Sequence, residues 1–245
     1  MTLFLSTAFL FAGGSALGWW IELIFRRFID PDNVEKKWVN PGFLTGPYLP
    51  LYGFVLILLY GMCRLEHFIP IDNIYIRKIV LFISMALCIT LLELFTGLIF
   101  IVKLKIVLWD YTGYFGNFMN IICPLYSFYW CLLSLFYCIV LDPAVCYLVD
   151  KQKQLPQSSF FIGLFYGIFL IDLLISVKNI ISISEFAWKN NILVRIDELR
   201  ENIQSFRQKR LFFLPMRFTD TMNSSLEHYR EFLAKVKPKK NKEPR

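Results

Sequence analysis

Long apolar runs with few or no charges constrain this chain more than any other feature. The runs at 3–25, 79–102, 118–141 and 159–177 each have about the ~20 residues that a helix needs to cross a bilayer. Hydrophobic residues make up 56% of the chain. The sequence therefore predicts an all-α membrane protein with about five transmembrane helices. Four of them correspond to these runs, and the remaining one, second in chain order, is formed around a shorter run at 51–63.

The short run at 51–63 requires an extension to complete a span. As a helix it would cover only about 20 Å, against about 30 Å of hydrocarbon. The preceding segment, 40–50, holds three prolines and two glycines and is expected to be non-helical. Such backbone is tolerated at membrane depth only when protein or a cavity surrounds it. We interpret 40–50 as a broken or re-entrant segment, and an ordinary interfacial loop fits the pattern equally well.

Basic residues concentrate after the last apolar run. From Lys178 onward the chain has 15 Lys or Arg against 8 Asp or Glu, whereas the preceding part has 11 of each. Basic segments beside membrane spans are usually retained in the cytoplasm, where they meet anionic lipids. We expect a transmembrane domain at 1–178, a basic cytoplasmic tail at 179–245 and, after five spans, an amino terminus outside the cell. Membrane lipids are expected partners, and nucleic acid is not.

Ionisable residues inside the spans are the main functional signal. Glu22, Glu93 and Asp172 all fall in the half of the membrane that lies nearer the tail, if the spans are ordinary helices. We hypothesise that they gather with Arg26 or Arg27 around a cavity open to the cytoplasm. The alternative is local pairing or snorkelling to the interface, which we favour for Asp172, whereas Glu93 lies too deep to snorkel easily and should have a specific partner.

Further polar residues join this hypothesis because they stand in the 40–50 segment or in the loop after the third span. Gly14, Gly18, Glu22 and Arg26 follow one another at intervals of four residues and so share one face of the first helix. This face should point at other helices. The predicted polar cavity comprises Glu22, Arg26, Arg27, Asn40, Thr45, Tyr48, Glu93, Trp109, Asp110, Asn117 and Asn120.

Aromatic residues near the span ends are interpreted as interfacial anchors. They are Trp19, Trp20, Trp38, Trp109, Tyr111 and Tyr114.

Motifs of common enzymes are absent from the sequence. It has no GxxxxGK[ST], GxSxG, HExxH or GxGxxG, so the chain is not expected to be an enzyme or to bind ATP itself. Its six cysteines form no CxxC pair and its two histidines stand apart, so neither a metal nor another cofactor is expected.

The tail contains two amphipathic patterns. Ile192, Ile196, Leu199, Ile203 and Phe206 form an apolar stripe of about two heptads, which predicts docking on a partner or on the membrane. Ser224 and Glu227 form a capping box that opens a second helix through Leu226, Leu233 and Val236.

Several segments together resemble a known bacterial membrane family. These are GWWIELIFRR, KWVNPGFLTGPYLPLYGF, LLELFTG, LWDY and the asparagine before ICPLYSFYW, within residues 8–145. They resemble the CmpB-like permeases, described as putative type IV ABC transporters. The resemblance implies a permease in the cell membrane, a separate ATP-binding subunit and assembly as a homodimer or hetero-oligomer.

Two other functions remain open from the sequence. The chain could be a membrane scaffold or sensor that acts through its basic tail. It could also be a membrane enzyme acting on lipid, with Glu22, Glu93 or Asp110 as acid or base.

Overall fold

The computed structural model describes residues 2–29, 33, 36–155, 157–199, 226 and 229–231. Its elements are, in order, α1 (Thr2–Phe28), α2 (Pro50–Leu65) followed by a 3-10 turn (Glu66–Phe68), α3 (Ile74–Gly97) continued by a π-helical turn (Leu98–Lys103), β1 (Ile106–Val107), α4 (Pro124–Phe136) continued by a second π-helical turn (Tyr137–Leu141), α5 (Asp142–Gln154), α6 (Ser158–Lys189) and β2 (Val194–Arg195).

Five helices in the described part are long and apolar enough to cross a membrane. They are Leu3–Phe28, Pro50–Phe68, Ile74–Lys103, Pro124–Gln154 and Ser158–Lys189. Strand is limited there to β1 and β2, two residues each, which pair in parallel. The predicted all-α membrane fold with five spans is confirmed.

The ends of α1, α3 and α6 lie on one side of the fold, which we name the tail side. Arg26 near the end of α1 contacts Asp197 after α6, and β1 after α3 pairs with β2. The connections that follow α1 and α3 therefore begin on the same side as the start of the tail. This relative arrangement agrees with the topology expected from an odd number of spans.

The α1 and α2 helices pack closely because glycines face the partner helix. A Cβ atom at Gly14 or Gly18 of α1 would overlap Leu56 or Tyr52 of α2, and one at Gly53 would overlap Ser15 and Phe11. The prediction that this face of α1 points at another helix is confirmed. Backbones approach closely where such small residues meet.

The 40–49 segment is non-helical and packs against the middle of the spans. The amide of Leu49 donates to the carbonyl of Ser15 in α1, 2.9 Å away, and α2 starts only at Pro50. Asn40, Pro41, Leu44 and Tyr48 are buried. Ser15 stands near the centre of α1, so the segment reaches back to the level of the middle of this span. The structure therefore favours the broken or re-entrant interpretation over an interfacial loop.

The fourth span differs from its predicted bounds of 118–141. Residues 118–123 form a tight turn in which the Phe118 amide donates to the Ile122 carbonyl at 2.8 Å, and the helix begins only at Pro124. It does not end at Asp142 and Pro143 but continues to Gln154. The wider π-helical turn before Asp142 accommodates Pro143, which lacks an amide donor, and this was not evident from composition.

The last span also continues past the boundary predicted at residue 178. It runs without a break to Lys189, and the chain then returns toward the spans. Ile196 and Leu199 pack with Ile106, Ile183 and Ala187, and Leu226 and Tyr229 join the same buried cluster. Ser224, Glu227, Ile203, Phe206, Leu233 and Val236 of the predicted tail helices lie outside the described residues.

Candidate functional site

A cavity of about 1430 Å³ lies between the spans in the tail-side half of the fold. Its walls come from the second half of α1, the start of α2, the second half of α3 and the first half of α4. Residues 108–111, Tyr114, Arg195, Asp197 and Glu198 close it toward the tail. The cavity therefore occupies the region in which the sequence placed the ionisable groups.

Glu22 and Arg26 face the cavity from successive turns of α1. The Arg26 Nε donates to Glu22 Oε1 at 3.1 Å, an i, i+4 pair on one helix face. Tyr52 of α2 donates its hydroxyl to the other oxygen of Glu22 at 2.9 Å. The guanidinium of Arg26 also donates to Asp197 at 2.8 Å and so joins α1 to the segment after α6.

Glu93 is the most deeply buried carboxylate of the cavity wall, with 3% of its surface exposed. It accepts hydrogen bonds from the Tyr111 hydroxyl at 2.7 Å and from the Trp130 Nε1 at 3.1 Å. A buried carboxylate requires such donors, because leaving it unsatisfied is costly. The expectation that Glu93 has a specific partner is confirmed, but the partners are aromatic side chains and not Arg26 or Arg27.

The loop between β1 and α4 positions the Tyr111 hydroxyl for Glu93. The Tyr111 amide donates to the Asn120 carbonyl at 3.0 Å, and Trp109 Nε1 donates to the Ile121 carbonyl at 2.9 Å. Asn120 has a φ of 59°, the left-handed conformation that asparagine tolerates best after glycine. Burial raises the pKa of Tyr111, so its hydroxyl remains protonated and available to donate.

Two ion pairs join the start of the tail to the cavity. Arg195 in β2 donates to Asp110 at 3.1 Å and contacts Glu198 at 3.4 Å, while Asp197 pairs with Arg26. All five side chains line the cavity. Arg195, Asp197 and Glu198 therefore line the cavity, although the sequence placed them in a separate tail.

Asp172 belongs to a second polar cluster away from the cavity wall. Its carboxylate accepts from the amides of Thr45 and Gly46, from the Tyr48 hydroxyl at 2.6 Å and from the Ser176 hydroxyl at 3.1 Å. The hypothesis that all three carboxylates gather around one cavity is therefore wrong for Asp172, and the local pairing that we favoured for this residue is observed. This carboxylate instead satisfies amides of the 40–49 segment, which have no helical partners.

Several other predicted cavity residues lie elsewhere. Thr45 and Tyr48 belong to the Asp172 cluster, as described above. Asn40 is buried and accepts from Trp19 Nε1 at 2.6 Å. Arg27 donates to the Lys36 carbonyl at 2.8 Å and lies 4.3 Å from the ring of Trp38.

In the loop before α4, Asn117 donates to the Tyr114 carbonyl, and the side chain of Asn120 is exposed. Of the predicted set, the structure brings Glu22, Arg26, Glu93, Trp109 and Asp110 together at the cavity. That these five form a functional site stays a prediction.

Some residues of the site were missed or misinterpreted from the sequence. Tyr111 and Trp19 are buried hydrogen-bond donors and not interfacial anchors. Tyr52, Trp130 and Arg195 were not predicted as site residues. The positions of Tyr52 within GPYLPLYG and of Trp130 at the end of ICPLYSFYW are the only signals that could have indicated two of them. Within the described residues, no group of His, Cys, Asp or Glu is placed to hold a metal ion.

Five spans, four of which surround a cavity lined by carboxylates and aromatic rings, define a multi-pass helical membrane protein. The chain belongs to the family described as "Putative ABC-transporter type IV", which matches residues 9–177. This match supports a transporter-related role. No curated protein and no solved structure matches the chain.

Proposed function

We propose that this chain is the permease-like membrane component of an ABC-type transporter in the bacterial cell membrane. The cavity in the tail-side half of the fold is the observation that carries the proposal. Glu22, Arg26 and Glu93 stand within apolar spans, where such groups are rare unless they serve a pathway or a binding site. The family membership of residues 9–177 supports the same role.

The proposal assigns the broken second span a role in alternating access. Discontinuous spans occur in transporters beside the substrate site, because their free backbone groups and flexible junctions allow one part to move against another. Here the non-helical 40–49 segment meets α2 at Pro50, beside Tyr52 and the Glu22 pair. Movement at this junction would change the shape of the cavity directly.

ATP hydrolysis is assigned to a separate subunit that docks on the tail side, which we propose to be cytoplasmic. That side presents the 104–123 connection and the start of the basic tail together. Because five spans are few for one transport pathway, the functional unit is proposed to be a homodimer or hetero-oligomer.

Affinity purification in mild detergent tests this function. We expect a nucleotide-binding subunit to copurify and its ATPase rate to fall when Glu22 and Glu93 are both replaced by Gln. Glu66→Gln, at the far end of α2 and outside the cavity, is the matched control. If no nucleotide-binding chain copurifies with the intact protein, the permease proposal is wrong.

The alternative function, a scaffold or sensor acting through its tail, is favoured by one observation. The segment after α6 packs in the same buried cluster as β1 and joins α1 through Arg26 and Asp197. Deletion of residues 200–245 keeps the Arg26–Asp197 pair and the packing of Ile196 and Leu199 on Ile106, and removes Leu226 and Tyr229 from the cluster. Loss of function in that deletion, with Glu22→Gln and Glu93→Gln silent, would favour the scaffold over the permease.

A further inference from the structure

We propose that the cavity binds an amphiphile with a positively charged ammonium headgroup, which reaches it sideways from the bilayer. This inference rests on the proposed function and names the class of substrate. Three properties of the cavity support it. The cavity has an opening between the spans, it is lined by aromatic rings, and one of its carboxylates, Glu93, lacks a basic partner within the part of the chain that the structure describes.

The cavity wall includes apolar side chains that are exposed on the membrane-spanning surface. Ile21 of α1, Phe54 of α2, Phe95 of α3 and Tyr129 of α4 are 48%, 53%, 62% and 44% exposed, and all four line the cavity. Side chains that line a cavity and are still about half exposed indicate that the cavity is open and not sealed between the helices. The proposal places this opening toward the hydrocarbon, because the four side chains are apolar and stand on membrane-spanning helices. An alkyl chain would extend through the opening while its headgroup stays inside.

Aromatic rings line the inner part of the cavity near Glu93. Tyr111 and Tyr126 stack with ring centroids 4.2 Å apart, and Tyr52 lies 5.7 Å from Trp130. Faces of Tyr and Trp rings attract ammonium groups, quaternary ammonium in particular. The ring set therefore favours a cationic headgroup over a neutral or anionic one of the same size.

The ion pairs of the cavity leave one carboxylate without a basic partner. Glu22 and Asp197 pair with Arg26, and Asp110 and Glu198 pair with Arg195. In the described part of the chain, no Lys or Arg forms an ion pair with Glu93, whose two donors are neutral.

A bound ammonium group would supply the missing positive charge beside Glu93. An anionic headgroup there would meet this carboxylate, and both arginines on the wall are engaged by other carboxylates. Among the described residues, the cavity lining holds five carboxylates, those of Glu22, Glu93, Asp110, Asp197 and Glu198, against the basic side chains of Arg26, Lys37 and Arg195. This excess of negative charge favours cations over anions.

Photolabelling of the purified, detergent-solubilised chain tests the proposal without any partner subunit. The probe is dodecyltrimethylammonium with a diazirine in the alkyl chain, and the comparison probe is the same chain with a sulfate headgroup. We expect the ammonium probe to label peptides 92–100 and 126–133, with at least about tenfold preference over the sulfate, as about 1.4 kcal/mol of selectivity gives. Unlabelled dodecyltrimethylammonium should compete, and dodecyl sulfate should not.

Two variants define the role of the charge. Glu93→Gln should reduce labelling by the ammonium probe about tenfold, while Glu66→Gln, the same substitution outside the cavity, should leave it unchanged. Equal labelling by both headgroups overturns the proposal, as does labelling elsewhere on the spans only. The headgroup comparison uses the wild-type chain, so a Glu93 variant that fails to fold does not prevent a decision.

The outcomes separate this inference from the proposed function. A chain that copurifies with an ATPase but shows no headgroup preference retains the permease role and loses the substrate class. A chain that binds the ammonium probe but has no ATPase partner retains the binding site and loses the permease role.

Discussion

At the scale of single residues, the fold supplies hydrogen-bond donors to its buried carboxylates in two different ways. Asp172 accepts four hydrogen bonds that organise the 40–49 segment, whereas Glu93 accepts two from side chains at the cavity wall. Both positions are conspicuous in the sequence as charges within apolar runs. Their hydrogen-bond donors Tyr48, Tyr111 and Trp130 are not conspicuous in the sequence. Tyrosine and tryptophan are common at membrane interfaces, and only the tertiary fold directs these three side chains inward.

Replacement of Tyr111 by Phe should destabilise the protein. The change removes the hydroxyl that donates to Glu93 and leaves a buried carboxylate oxygen without that donor, at a cost of about 1–3 kcal/mol. Thermal unfolding in detergent measures the effect. Tyr114→Phe is the matched control, because Tyr114 packs on the same ring cluster. Equal melting temperatures for the two variants would contradict the role given to the Tyr111 hydroxyl.

Cys63 and Cys138 offer a second test at this scale. Their Sγ atoms are 2.7 Å apart, although they belong to α2 and to the π-helical turn after α4. We expect copper–phenanthroline with oxygen to convert the two thiols to a disulfide with loss of two protons and two electrons, so that maleimide labelling falls by two thiols. In Cys63→Ser, labelling of Cys138 should survive the same treatment. Spacing along the chain gave no indication of this pair, because 75 residues separate its members.

At the scale of helices and segments, the close packing of α1 on α2 could be predicted and its partner could not. The i, i+4 pattern of Gly14 and Gly18 indicates a face of close approach, but any of the other helices could have met it. The ends of the spans were predicted less accurately. The fourth span, predicted at 118–141, is Pro124–Gln154 in the structure, because a turn precedes the helix and a π-helical segment lets it continue past residue 141. The non-helical state of 40–49 followed directly from its prolines.

Gly18→Ala should therefore damage the protein more than an identical change on α6. A Cβ atom at Gly18 would overlap the side chain of Tyr52, and such overpacking costs about 1–3 kcal/mol. At Gly163 a Cβ atom meets nothing within 4 Å, so Gly163→Ala should be neutral or stabilise the helix by up to about 1 kcal/mol. Melting temperatures and the monodisperse fraction in gel filtration compare the two. A Gly18 variant as stable as the Gly163 variant would exclude tight α1–α2 packing.

At the scale of the whole molecule, an odd number of spans sets the start of the tail opposite the amino terminus. This arrangement could be predicted from the five apolar runs alone. What the sequence did not reveal is that residues 192–199 return to the spans, because their apolar stripe is equally typical of docking on a separate partner. The contact with β1 and with the cavity wall required the positions of distant residues.

Labelling with an impermeant maleimide tests the orientation proposed above. In a background without native cysteines, Leu193→Cys on the tail side should react only from the cytoplasm, and Leu155→Cys only from outside. Both leucines are about half exposed, at 53% and 50%, so access to reagent is comparable. Reaction of the two positions from the same side would rule out the five-span topology, and exchanged sides would reverse the orientation.

The short parallel pairing of β1 with β2 has a mechanical consequence. Val194 donates its amide to the Lys105 carbonyl at 3.0 Å, and the next residue, Arg195, holds Asp110, which directly precedes Tyr111. A displacement of Arg195 would therefore reach the Tyr111 hydroxyl, which donates to Glu93, through one ion pair and one peptide bond.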